Sequence, residues 1–154
     1  MLFRSHRGRD SYDGASERFI ATELPRWLQS TYGLHPTRAK TAVAGMSLGG
    51  YGTLALAVRH PRQYGFGVAL AGWYPPALLA EVEQAKQLPD KLVLRCGTGD
   101  DLLASNRELV AVLKRRNAAF DYAEEPGAHT FHFWSRQTAP MLAAVDGWFR
   151  GSSH

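Results

Sequence analysis

Cysteine is almost absent: Cys96 is the single one in 154 residues, so no disulfide can form within the chain. It ends the apolar run Leu92-Val93-Leu94-Arg95-Cys96 and reads as a small core residue. Long apolar runs are missing too, and nothing approaches the roughly 20 residues needed to cross a bilayer. The Arg-bearing start Met1-Leu2-Phe3-Arg4 is not followed by the apolar segment of a signal peptide. The expectation is a soluble protein, cytoplasmic on this chain alone. No Cys-x-x-Cys or His-Glu-x-x-His spacing is present, so no metal is expected. A Gly-x-Gly-x-x-Gly loop is lacking as well, and the glycine-rich run from Gly45 to Gly52 has no Lys-Ser/Thr ending, so no nucleotide cofactor is expected. Charge is mildly basic, 18 Lys and Arg against 14 Asp and Glu, but scattered. Without a run of like charges or interleaved stacking residues, nucleic acid is not an expected partner.

What is present suits a globular protein. Apolar residues make up 45% of the chain, enough for a sizeable core in one domain spanning residues 1–150. Residues 151–154, Gly-Ser-Ser-His, read as linker or tag. Phe19, Ile20, Leu24, Trp27 and Leu28 recur at helical spacing across residues 15–31, with Pro25 expected to kink or restart the helix and Gly33 and Pro36 to end it. A short apolar strand follows at 41–44, then a helix at 48–59 stopped by Pro61. The alternation continues with strands at 67–71, 91–96 and 120–124 and helices at 76–87, 102–116 and 131–149. In the 102–116 helix, Leu102, Leu109, Val112 and Leu113 face inward. Apolar strands separated by helices predict an α/β fold with about four parallel strands, because parallel pairing needs crossover connections and buries both faces. No internal repeat, low-complexity tract or linker interrupts the pattern.

Between the first strand and the next helix lies Gly45-Met46-Ser47-Leu48-Gly49, a Gly-x-Ser-x-Gly motif in the strand-turn-helix setting of a nucleophile elbow. A sharp turn there strains the serine backbone and presents its Oγ above the sheet, and the two glycines have no side chains to collide. The backbone N–H of Leu48, at the helix start, is the candidate oxyanion donor. The plainer alternative is a glycine-rich turn with Ser47 as helix N-cap.

A serine nucleophile of this type needs an acid and then a histidine later in the chain, each after a strand's C-terminal end. Gly97-Thr98-Gly99-Asp100-Asp101 and Pro126-Gly127-Ala128-His129 occupy those places. Asp100 is favoured as the acid, since Asp101 sits nearer the helix and is the better cap. His129 is favoured as the base, because its rival His132 falls inside a helical stretch. His6, His35 and His60 come too early in the chain order. Trp73, Tyr74, Phe131 and Trp134 are candidates to line an acyl or aromatic pocket, though aromatics near an elbow also serve as plain core.

These residues resemble the esterase family that includes esterase D, tributyrin and feruloyl esterases, enterochelin esterases and the antigen 85 mycolyltransferases. The likeness lies in residues 19–25, in the elbow with Tyr51-Gly52 and His60-Pro61, and in Cys96-Gly97-Thr98-Gly99-Asp100 through Asn106 to His129 and Trp134. It implies the C-terminal part of an α/β-hydrolase fold, with nucleophile, acid and base on Ser47, Asp100 and His129. The implied activity is hydrolysis of small-molecule carboxylic esters, or acyl transfer by the same triad. Family members carry further strands ahead of the helix that begins near Ala15. The resemblance therefore implies that this chain lacks them, together with the loop that donates the second oxyanion N–H. Its first strand would offer a bare edge through which two copies could pair, and the protein could be a binding or assembly module. The compartment stays open, because a leader could belong to the absent part. Relatives also often have a longer cap region than the link between Gly72 and Asp90, so an open site is expected.

Overall fold

The computed structural model describes residues 12–151, which leaves His6, the Met1–Arg4 start and residues 152–154 outside. Four strands form one sheet: β1 (Ala42–Met46), β2 (Phe66–Leu70), β3 (Lys91–Gly97) and β4 (Phe120–Glu125). They pair in sequence order and all in parallel, with Ala42 opposite Phe66, Phe66 opposite Lys91 and Leu92 opposite Phe120. Among the described residues β1 pairs with β2 alone. Helices α3 (Leu48–Arg59), α4 (Pro76–Gln84), α5 (Leu103–Arg115) and α6 (Phe131–Gly151) make the crossovers and the C-terminal flank, within a few residues of the spans that periodicity predicts.

Alternation along the strands divides the core in two. Ala69, Leu92 and Leu94 pack with Leu54, Ala55, Leu78, Val82, Leu109 and Leu113 of α3, α4 and α5. Phe66, Val68, Leu70 and Val93 point the other way, toward Met141, Ala144, Val145 and Trp148 of α6. There the Phe66 and Trp148 rings stack 5.3 Å apart. Every residue of β2 is buried, as a central strand covered on both faces requires. Each fully buried Leu or Val contributes about 1.5–3 kcal/mol by leaving water. Of the inward stripe expected on α5, Leu109, Val112 and Leu113 are buried, while Leu102 lies just outside the helix and is half-buried.

Pro25 restarts the first helical segment, as expected: it stands in the first turn of a new α-helical stretch, after a wider turn that the sequence does not announce. α1 (Ala15–Arg18) runs through a π-helical turn, Phe19–Glu23, into α2 (Leu24–Tyr32). A widened turn absorbs the hydrogen bond that a proline cannot donate. The helix ends as expected at Gly33, whose left-handed φ of 66° lets its N–H reach the Gln29 carbonyl at 3.0 Å. Its apolar stripe is only partly covered: Ala21 is buried with Leu56, Ala57 and Tyr64, whereas Phe19 and Trp27 remain exposed.

Parallel order carries a consequence for function. The C-terminal ends of all four strands lie along one edge of the sheet, so the loops that follow them gather there, at residues 47, 71–75, 98–102 and 126–130.

Candidate active site

The turn between β1 and α3 is as tight as the motif predicts. Ser47 has φ 53° and ψ −118°, a strained conformation for a residue with a side chain. A Cβ on Gly45 would sit 2.3 Å from the Gly49 carbonyl oxygen, and one on Gly50 would sit 2.8 Å from Gly72 Cα. Only glycine permits these approaches. The Ser47 N–H is anchored on the Leu70 carbonyl of β2 at 2.8 Å. Its side chain makes no cap bond to α3, which removes the N-cap alternative. Instead Oγ lies 2.8 Å from His129 Nε2.

On its far side, His129 Nδ1 is 2.9 Å from Asp100 Oδ2. Asp100 is fully buried at its side chain, and its other oxygen accepts the Leu102 N–H at 2.8 Å. A backbone donor and a ring nitrogen thus meet a carboxylate that water cannot reach, which makes its burial tolerable. Asp101 is the expected cap of α5, but it is exposed, the N-cap position is Leu102, and no side chain caps the helix. The Asp100 bond to the Leu102 N–H is an Asx turn ahead of the helix, which leaves the second carboxylate oxygen to face His129. The acid and base loops are tied together, Gly99 N–H to the Gly127 carbonyl at 2.8 Å and Thr98 N–H to the Glu125 carbonyl at 2.8 Å.

The other candidates take varied places. His132 is exposed on α6, His35 is exposed, and His60 pairs through Nε2 with Glu17 at 2.7 Å. Leu48 opens α3, where helix geometry leaves its N–H without an intrahelical acceptor. Trp73 is 49% exposed beside the elbow, with its ring stacked on Tyr51 at 6.2 Å. Trp134 packs edge-on against the His129 ring, centroids 4.9 Å apart at 89°, as a wall behind the imidazole. Tyr74, grouped with the pocket residues by sequence, is instead a core residue at 2% exposure beneath Gly72. Burial pushes the Tyr74 hydroxyl well above the usual tyrosine range. Burial, assisted by Asp100, likewise pushes the Cys96 thiol up to about 12, so it stays protonated.

Asn106 has no role in the sequence reading beyond membership of a family pattern, yet it is 1% exposed in the same neighbourhood. The available signal was a polar residue on the inward face that Leu109 and Leu113 share in α5. Among the described residues no cluster of His, Cys, Asp and Glu could hold a metal ion, and no helix is long and apolar enough to cross a membrane.

The chain belongs to the Putative esterase family, whose model matches residues 3–145. It is 24% identical to an acetyl esterase of Caldicellulosiruptor saccharolyticus over 159 residues, covering 79% of this chain and 60% of that one. It is 38% identical over 61 residues to a diacylglycerol acyltransferase/mycolyltransferase of Mycobacterium bovis, covering 40% of this chain and 18% of that one. In structure it resembles a ferulic acid esterase with TM-score 0.77 and 20% identity, over 87% of this chain and 61% of that one. The fold is thus that of the α/β hydrolases. The chain spans about three fifths of the acetyl esterase and of the ferulic acid esterase structure.

Proposed function

We propose that this protein is a serine esterase that cleaves carboxylic esters through an acyl-enzyme on Ser47. The observation that carries the reading is the unbroken line from Ser47 Oγ to His129 Nε2 at 2.8 Å and from His129 Nδ1 to Asp100 Oδ2 at 2.9 Å. Ser47 Oγ attacks the ester carbonyl as His129 Nε2 takes its proton, and Asp100 holds the imidazole with Nδ1–H toward itself, stabilising the imidazolium. The oxyanion of the tetrahedral intermediate faces the Leu48 N–H, helped by the dipole of α3. Collapse breaks the bond to the alcohol oxygen, which leaves with the proton from His129. A water then repeats the sequence and frees the acid.

Trp73, flat and exposed beside the elbow, is the proposed wall for the acyl or alcohol group, with Leu48 and Phe131 as further exposed apolar surface. Labelling with a fluorophosphonate probe tests the reading: the signal should vanish in Ser47→Ala and persist in Ser135→Ala, which alters an exposed serine of α6. Correctly folded wild-type protein that does not label refutes it. The likeness to a mycolyltransferase supports a second reading, acyl transfer to an alcohol. A rise in acylated acceptor at the expense of free acid, when alcohols are added, would select it.

A further inference from the structure

Four polar side chains are buried among the described residues: Thr53, Asp100, Asn106 and Gln137. Thr53 bonds within its own helix to the Gly49 carbonyl, and Gln137 bonds to Glu125 at the end of β4. Asp100 has its place in the proposed triad. Asn106 moves no proton, yet its amide joins two parts of the chain. Nδ2 donates to the Leu102 carbonyl at 2.8 Å and to the Gly72 carbonyl at 2.9 Å. The helix does not require the first of these, because the Asn106 backbone N–H already reaches the Leu102 carbonyl at 3.0 Å. The bond to Gly72 is therefore the distinctive one. Oδ1 meanwhile has no hydrogen-bonding partner, a cost that an apolar side chain of similar size would avoid. Stability alone does not account for an amide here.

Position accounts for it. Leu102 is the residue whose N–H holds Asp100 Oδ1, and Gly72 lies directly against Gly50 in the first turn of the nucleophile helix. Ser105 strengthens the grip from the same turn of α5, its Oγ accepting the Tyr74 N–H at 2.8 Å and donating to the Tyr74 carbonyl at 3.3 Å. We propose that Asn106 is a positioning residue which, by binding Gly72 and Leu102 together, fixes the Asp100 carboxylate relative to Ser47 and His129. The proposal rests on the serine-esterase reading. It requires that loss of the amide act through Asp100 and leave substrate binding almost untouched.

The experiment is a double-mutant cycle in p-nitrophenyl acetate hydrolysis, with active sites titrated by a fluorophosphonate. Asn106→Leu keeps the volume and removes the donors. Asn106→Ser keeps a donor for the carbonyl one turn back but is too short for Gly72. Both should lower kcat per titrated site by about 10–100-fold, the scale of a small displacement in a catalytic constellation, with KM within about twofold. In the Asp100→Ala background the same substitutions should have almost no further effect on kcat. A loss of equal size in that background, or one confined to KM or to the titrated fraction, overturns the positioning role while leaving the esterase reading intact. A wild-type protein with no Ser47-dependent turnover overturns both. If Asn106→Leu fails to fold, Asn106→Ser is judged by the same criteria.

Discussion

Replacing Asp100 by asparagine isolates the contribution of one proton. The carboxylate is held at both ends: Oδ1 accepts the Leu102 N–H at 2.8 Å, and Oδ2 faces His129 Nδ1 at 2.9 Å. In Asp100→Asn the amide oxygen keeps the Leu102 bond, because the NH2 group cannot accept it. The NH2 is thereby forced toward His129, where it can only donate. Nδ1 must then be the acceptor and the proton moves to Nε2, the atom 2.8 Å from Ser47 Oγ that should be taking a proton from the serine. The base is blocked although the side chain keeps its shape. A wrong tautomer of this kind lowers kcat by about 10⁴-fold in serine hydrolases, or about 5 kcal/mol of transition-state stabilisation. The assay is kcat/KM for p-nitrophenyl acetate beside a thermal melt, with Ser47→Ala as the background. A folded Asp100→Asn protein that keeps more than a tenth of the wild-type rate would refute the argument, since the carboxylate would not be setting the tautomer.

Three other outcomes follow from the packing. Gly45→Ala should abolish probe labelling, because the new Cβ would lie 2.3 Å from a backbone oxygen of Gly49 and the elbow would have to open; labelling at the wild-type rate would contradict that. Trp73→Ala, at an exposed ring stacked on Tyr51, should raise KM for aryl esters severalfold and leave the melting temperature within a few degrees, as steady-state kinetics with calorimetry would show. The hydrogen bond from Arg107 holds the Glu124 carboxyl down at about 2. Since the folded value is depressed, the stabilisation is present above the ordinary carboxylate value near 4.5 and is lost as pH falls toward 2. The melting temperatures of wild type and Glu124→Gln should accordingly differ at pH 7 and converge near pH 2. A gap independent of pH would remove the ion pair as its cause.

Much of this molecule is written in local signals. Strands β1 to β4 and helices α3 to α6 follow from apolar runs and helical periodicity, and the parallel sheet follows from their alternation. The elbow is legible because Gly45, Ser47 and Gly49 are neighbours in the chain and their spacing encodes a backbone turn. Chain order and strand-end placement single out Asp100 and His129 for the same reason. The π turn before Pro25 was not legible, since whether a helix breaks or widens at a proline depends on what the rest of the helix can hold in place.

What the sequence by itself determined is therefore the set of elements and the residue types available for chemistry at their ends. Tertiary structure alone decided the rest. It made one carboxylate serve as both Asx-turn acceptor and partner of His129, it turned Tyr74 into the core while leaving Trp73 exposed, and it brought Asn106 within 2.9 Å of a carbonyl 34 positions away. Each of these depends on distances between segments that no local pattern records, because which face a loop residue presents, and which remote carbonyl a side chain meets, is settled only when the sheet and α5 have packed.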